Sequence, residues 1–302
     1  MSNAARVQER PMIPSLRAST EPSRSRRALR RLARDRVGLG GVIVVLLIAA
    51  AALAAPAIAP YDPTATDLSH AFMPFGAPGH LLGTDLYGRD VLSRVIWGAR
   101  PSLGVGFVAT CIALGIGGTL GIVIGFYGGW LDSVMMRIVD IMLAFPYLLL
   151  AIVIVGALGP SLFNAVLAVA TTAIPFYVRL IRGMVLTFKE EQFVEAVRAV
   201  GARGPYIMRT AILPNVLPYI IVAFSINIGY LILAAASLSF LGLGAQPPSP
   251  EWGSMLAENR NYLTLAPHTV IAPGVAIFLL IIGMNLFGDA VRDALDVRLV
   301  EN

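Results

Sequence analysis

Charge is scarce in this chain. Only 14% of its 302 residues are charged and 57% are hydrophobic, whereas a soluble domain carries about a quarter charged residues. The deficit excludes an ordinary solvated surface around a single core and makes lipid the solvent for much of the chain. Cysteine is nearly absent: Cys111 stands alone, which excludes an intrachain disulfide and a cysteine-held metal. His70, His80 and His268 are the only histidines, far apart in sequence and without ligand-like spacing, so no metal site is expected. Lysine is reduced to Lys189. Patterns of catalysis are missing too. There is no H-E-x-x-H, no G-x-S-x-G and no pair of aspartates within an apolar run, and no G-x-x-x-x-G-K-[ST] phosphate loop. No catalytic residues are expected, ATP is not held by this chain, and no chain of buried carboxylates marks a proton-coupled carrier.

The charge that is present is uneven. The formal net charge of +5 gathers in the first 36 residues, where ten arginines from Arg6 to Arg36 face only Glu9, Glu21 and Asp35. Mapped this way, the excess does not describe a nucleic-acid surface. Residues 1–36 read as a basic, disordered cytoplasmic leader that either rests on anionic lipid or fixes topology.

Six apolar stretches follow, each long enough for a hydrocarbon layer of about 30 Å, which takes roughly 20 helical residues. The first covers 37–59; Ala57-Ile58-Ala59 resembles a signal-peptidase site, but the length of the basic and apolar runs favours an uncleaved span. Residues 60–100 turn polar and rich in Pro and Gly, an external loop region. The second stretch, 102–126, carries Gly117, Gly121 and Gly125, with Gly129 just beyond, at intervals of four. On a helix these form one smooth stripe, either a packing face for a neighbouring helix or part of a substrate path. The third stretch covers 134–158, the fourth 162–185, the fifth 215–240 and the sixth 267–288. Residues 241–266 form a second external loop, where Gln246-Pro247-Pro248-Ser249-Pro250 bars a helix.

Six crossings that start inside return residues 289–302 to the cytoplasm as a tail. The expected fold is an all-α integral membrane protein with six transmembrane helices and both termini cytoplasmic. Arg89, Arg94 and Arg100 then fall outside, a breach of the positive-inside rule. Arg137 and Asp140 stand three apart near the cytoplasmic end of the third stretch, neighbours on one helix face; they are either functional, as charges in lipid tend to be, or a structural pair.

Residues 186–214 are polar and basic. Within them Phe193, Val197 and Val200 recur at helical spacing, while Glu191, Glu195 and Arg198 mark another face. Gly201 is expected to end this helix in the left-handed conformation, and a second helical stretch from Tyr206 to Leu213 leads to Pro214. An amphipathic element of this size either presses into a groove on a partner or lies along the lipid surface.

At these residues the chain resembles the permeases of ABC importers. Glu195-Ala196-Val197-x3-Gly201, then Ile212-Leu213-Pro214, resembles their EAA loop, with Val197 for the second alanine. Further stretches resemble the dipeptide, oligopeptide and nickel branch: His80 to Asp85, Gly88 to Arg94, Gly98-Ala99-Arg100, Ser239 to Pro248 with Glu251-Trp252-Gly253, and Asn285 to Asp296. Val297 stands where that branch usually has proline. The likeness runs from about residue 35 to the end.

The resemblance implies a permease domain at 101–288 in the bacterial inner membrane and a C-type subunit paired with a different B-type permease. It implies two ABC ATPase subunits that bind ATP and Mg, and an extracytoplasmic substrate-binding protein. Phe193, Glu195, Ala196, Val197, Arg198, Gly201 and Pro214 become the expected ATPase-coupling residues. Asp85, Arg89, Asp90, Gln246 and Trp252, in the external loops, become candidates for an outer gate or a binding-protein contact, or else a structural cap. Di- or oligopeptides are the expected cargo, with nickel or opines as alternatives within the branch and a secondary carrier or channel as the alternative outside it.

Overall fold

The structure is a computed structural model and describes residues 35–295. The arginine-rich leader ahead of Asp35, and the residues after Leu295 including Val297, lie outside the described residues.

Helix α1 covers Arg36–Ile58 and opens at Asp35, whose carboxylate accepts from the Val37 N–H at 3.0 Å. A turn-rich segment follows, with one short 3-10 turn at Leu68–His70. Helix α2 covers Val91–Tyr127 and α3 covers Gly129–Ala144. Helix α4 covers Tyr147–Leu158 and α5 covers Leu162–Phe188. A short α6 covers Gln192–Ala199. Helix α7 runs over Gly204–Phe240 with a π turn at Met208–Ile212. Helices α8, Trp252–Asn259, and α9, His268–Leu295, complete the order. No strand occurs among the described residues. Among the described residues five helices are long and apolar enough to cross a membrane, and a sixth span results if the bent pair α3 and α4 counts as one.

Helix α2 packs chiefly on α5, and the glycine stripe makes that contact. A Cβ on Gly117 would lie 2.8 Å from the Ile174 carbonyl oxygen and from Tyr177 Cβ. One on Gly121 would lie 2.9 Å from the Val178 carbonyl, and one on Gly125 3.0 Å from Val185 Cβ. The stripe brings the two backbones together, which favours dispersion contacts where hydrophobic exclusion from lipid supplies no drive. Gly129 has left the stripe, with φ +67 and open space around it. A second core joins α1, α2, α7, α8 and α9 around Trp252, Ile232 and Leu280.

Four features depart from the sequence expectation. Helix α2 begins at Val91 rather than Ser102, because Asp90 caps it by accepting from the Ser93 N–H at 2.8 Å and the polar residues of its first turns are buried against the loops. The third stretch is not one straight span: α3 and α4 meet at 94°. Pro146 removes a helical N–H and pushes Phe145 to φ −87, ψ 137. Asp140 does not pair with Arg137; it binds Arg179 on α5, and Asp132 binds Arg182. Pro214 does not begin a helix, since α7 already runs from Gly204. The helix instead widens to the π turn just ahead of Pro214, at the carbonyls that its ring would crowd.

Candidate functional site

Helix α6 is held by little. Val194 is fully buried in the core formed with Ile207, Ala211 and Ile212, and Val197 packs partly against the same cluster. Phe193 stays 39% exposed and Val200 83% exposed, while Glu195, Ala196 and Arg198 are exposed. The apolar positions thus divide. Val197 turns inward with Val194, and the outward ridge is Phe193 with Val200.

The end of α6 is built for a sharp reversal. Gly201 sits at φ +82, its N–H donates to the Arg198 carbonyl at 3.0 Å, and the Ala202 N–H donates to the Val197 carbonyl at 3.4 Å. These two bonds form a Schellman motif, and Ala202 and Val197 both pack on the core. A Cβ on Gly201 would meet nothing within 4 Å, so glycine is required there for backbone conformation rather than for space. The chain then enters α7 at Gly204, where a Cβ would lie 3.1 Å from Phe126 at the end of α2. Helix α6 rests on the π turn of α7.

The loops at 60–100 and 241–266 form a cap at the opposite end of the bundle. Asp85, Arg89, Asp90 and Trp252 are each about 1–2% exposed. Arg89 Nε donates to Asp85 Oδ2 at 2.6 Å, and its guanidinium also binds Glu258. Arg94, fully buried, reaches Asp85 at 3.6 Å and Glu258 at 3.4 Å. His80 Nδ1 lies 3.0 Å from Asp90 Oδ1. Trp252 Nε1 donates to the Val95 carbonyl at 2.9 Å, and its ring occupies the space a Cβ on Gly98 would need. These side chains are internal to the cap: Arg89, Arg94 and Trp252 tie the first loop and the start of α2 to the second loop, while Asp85 and Asp90 find their partners on the first side. Gln246 is exposed and folds back onto the Gly242 and Gly244 carbonyls.

Sequence reasoning missed Glu258 and Glu251. Glu251 caps α8 by accepting from the Gly253 and Ser254 N–H groups at 3.0 and 2.8 Å. Burial pushes its carboxyl above the usual range against those hydrogen bonds. The only signal for buried pairing was the excess of arginine in a loop expected outside. Arg100 accounts for the rest of that excess: it donates to the Ala52 carbonyl, whose helical donor Pro56 cannot supply, and to Leu53.

The histidines are closer in space than in sequence, with the His70 and His80 rings 6.4 Å apart. No group of three potential metal ligands forms among the described residues. An apolar cavity of about 370 Å³ opens between α4, α7, α8 and α9, lined by Leu148, Leu233, Ser237 and Phe240 among others.

A bundle of five or six apolar spans among the described residues, with a lightly held amphipathic helix outside it, is the architecture of a multi-span membrane protein. Residues 117–301 match the family model of the binding-protein-dependent transport system inner membrane component, and residues 23–77 match the N-terminal transmembrane domain of oligopeptide transport permease C. This chain belongs to that family of inner-membrane permeases. A dipeptide transport system permease protein from Alkalihalophilus pseudofirmus is 44% identical, covering 91% of this chain and 90% of its own. A glutathione transport system permease protein from Pectobacterium atrosepticum is 42% identical over 95% of both. A probable D,D-dipeptide transport system permease protein from Escherichia coli is 46% identical over 85% of this chain and 86% of its own. The fold is also that of the MetNI methionine ABC transporter in an inward-facing crystal form, with TM-score 0.55 and 21% identity over 68% of this chain and 97% of that one.

Proposed function

We propose that this chain is one half of the translocation pathway of a peptide importer, driven by ATP bound with Mg on separate ATPase subunits. The cargo reading is supported by relatives named for dipeptides and glutathione. A B-type permease completes the pathway within the lipid, a binding protein delivers cargo at the cap, and both termini face the cytoplasm.

The observation that carries the reading is α6. An eight-residue helix that buries one face on α7 and leaves Phe193 and Val200 out in water is a knob without its groove. Seated in an ATPase subunit, that ridge supplies contact area while Glu195 and Arg198 fix register. Gly201 sets the angle at which the helix returns, and the π turn before Pro214 receives the push.

Gly201→Asp is the test. Aspartate tolerates the left-handed region better than most residues, yet it strains the Schellman turn and places charge beside the docking ridge. Uptake of a labelled dipeptide should be abolished and ATPase co-purification weakened, with membrane insertion intact. Normal uptake by this variant would remove the coupling assignment.

A further inference from the structure

The Asp140–Arg179 pair lies in an unexpected place for exposed charge. Arg179 is nine residues from Phe188, the nearer end of α5, or about 13 Å along the helix axis at 1.5 Å per residue. Helix α5, 27 residues long, is about 40 Å against an apolar layer of about 30 Å. Centred in that layer, it carries Arg179 well inside. Yet the Arg179 and Asp140 side chains are 54% and 50% exposed. Arg137, one turn before Asp140, is exposed and forms no salt bridge among the described residues.

A second observation falls on the same stretch. The break between α3 and α4 lies one turn beyond Asp140, and residues 143–147 are all exposed. Non-helical backbone is tolerated at membrane depth only where protein buries it or water lines it, and exposed charges there face water or a partner for the same reason. The core of a protein interface is depleted in charge, whereas this face holds two guanidiniums and one carboxylate. Water is the better neighbour.

The geometry points to a zwitterion station on the translocation path, at which a peptide's ammonium takes Asp140 and its carboxylate takes Arg179. This assignment rests on the peptide-import reading above. The exchange is neutral throughout: one ion pair opens, two form, and no net charge is created at depth. Arg179 offers a planar fork that fits a carboxylate, and Arg137 lies beside the station without belonging to it.

The test uses the complete transporter, purified with its partner subunits and reconstituted in proteoliposomes, with Cys111→Ser to remove the native thiol. Arg137→Cys breaks no ion pair, and a membrane-impermeant charged thiol reagent should label it. Saturating dialanine with the binding protein should slow that labelling at least fivefold. Asp140→Asn and Arg179→Gln should each cut dialanine uptake at least tenfold in assembled transporter. If either fails to assemble, Asp140→Arg with Arg179→Asp keeps a pair in place, and it should assemble yet lose uptake at least fivefold. A thiol inert to the reagent, labelling unaffected by dialanine, or wild-type uptake in these variants overturns the station. Wild-type transporter that takes up no dialanine at all removes the peptide-import reading itself, and the station with it.

Discussion

The cap and α6 look alike in sequence and opposite in structure. Both are glycine-punctuated segments between spans, with charges of both signs. In the cap several charges are inside: Asp85, Arg89 and Arg94 are buried, although Asp62, Asp67 and Arg260 stay exposed, while Leu68, Phe75 and Leu81 face out. In α6 the charges are outside and a single valine is fully buried. Taking a charge out of water costs several kcal/mol per ion unless partners replace the solvent, so the cap is held together by the partners its buried charges find within it. Helix α6 has made no such commitment and keeps both its apolar ridge and its charges for another surface. A dense charged motif can therefore be internal riveting, and the proposed docking surface is the element with the thinnest attachment to its own chain.

That contrast can be broken at several points. Arg94→Ala should have the largest effect on the fold, because it leaves Asp85 and Glu258 short of a cation. Removing one partner of a buried pair costs about 3–5 kcal/mol, visible as a lowered thermal midpoint of the purified complex and new proteolysis within residues 61–90. An unchanged midpoint would mean the buried charges do not hold the cap. Gly121→Val should cost about 1–3 kcal/mol by overpacking α2 against α5, read by the same melt; an effect no larger than that of a lipid-facing substitution would deny the stripe its packing role. Val200→Ser should be the mildest for the fold, within about 0.5 kcal/mol, yet it should lower the amount of ATPase that co-purifies. Retention of the full complement of ATPase would place the docking ridge elsewhere.

Much of this arrangement was legible in the sequence. Apolar length located α1, α5 and α9 to within a few residues at most of their ends, and Gly201 marked its own turn because few other residues rest comfortably at φ +82. The failures share a cause. Pro101, Pro175, Pro218 and Pro273 all lie inside helices, whereas Pro146 breaks one, and nothing local separates them; the difference lies in what packs around each. Val91 to Arg100 reads as loop because its polar residues need water or partners, and Asp85, Glu258 and the Ala52 carbonyl are partners that only the fold supplies. Asp140 found Arg179 across a helix pair rather than Arg137 on its own helix. A single chain's spacing reports neighbours along a helix and is silent about those across a bundle.

Crosslinking tests the central claim most directly. In a transporter carrying Cys111→Ser, Val200→Cys on α6 and Phe75→Cys on the cap are compared with a short thiol-to-amine crosslinker. Val200→Cys should join this chain to the ATPase subunit, and Phe75→Cys should not. An active transporter in which Val200→Cys reaches no ATPase would contradict the account.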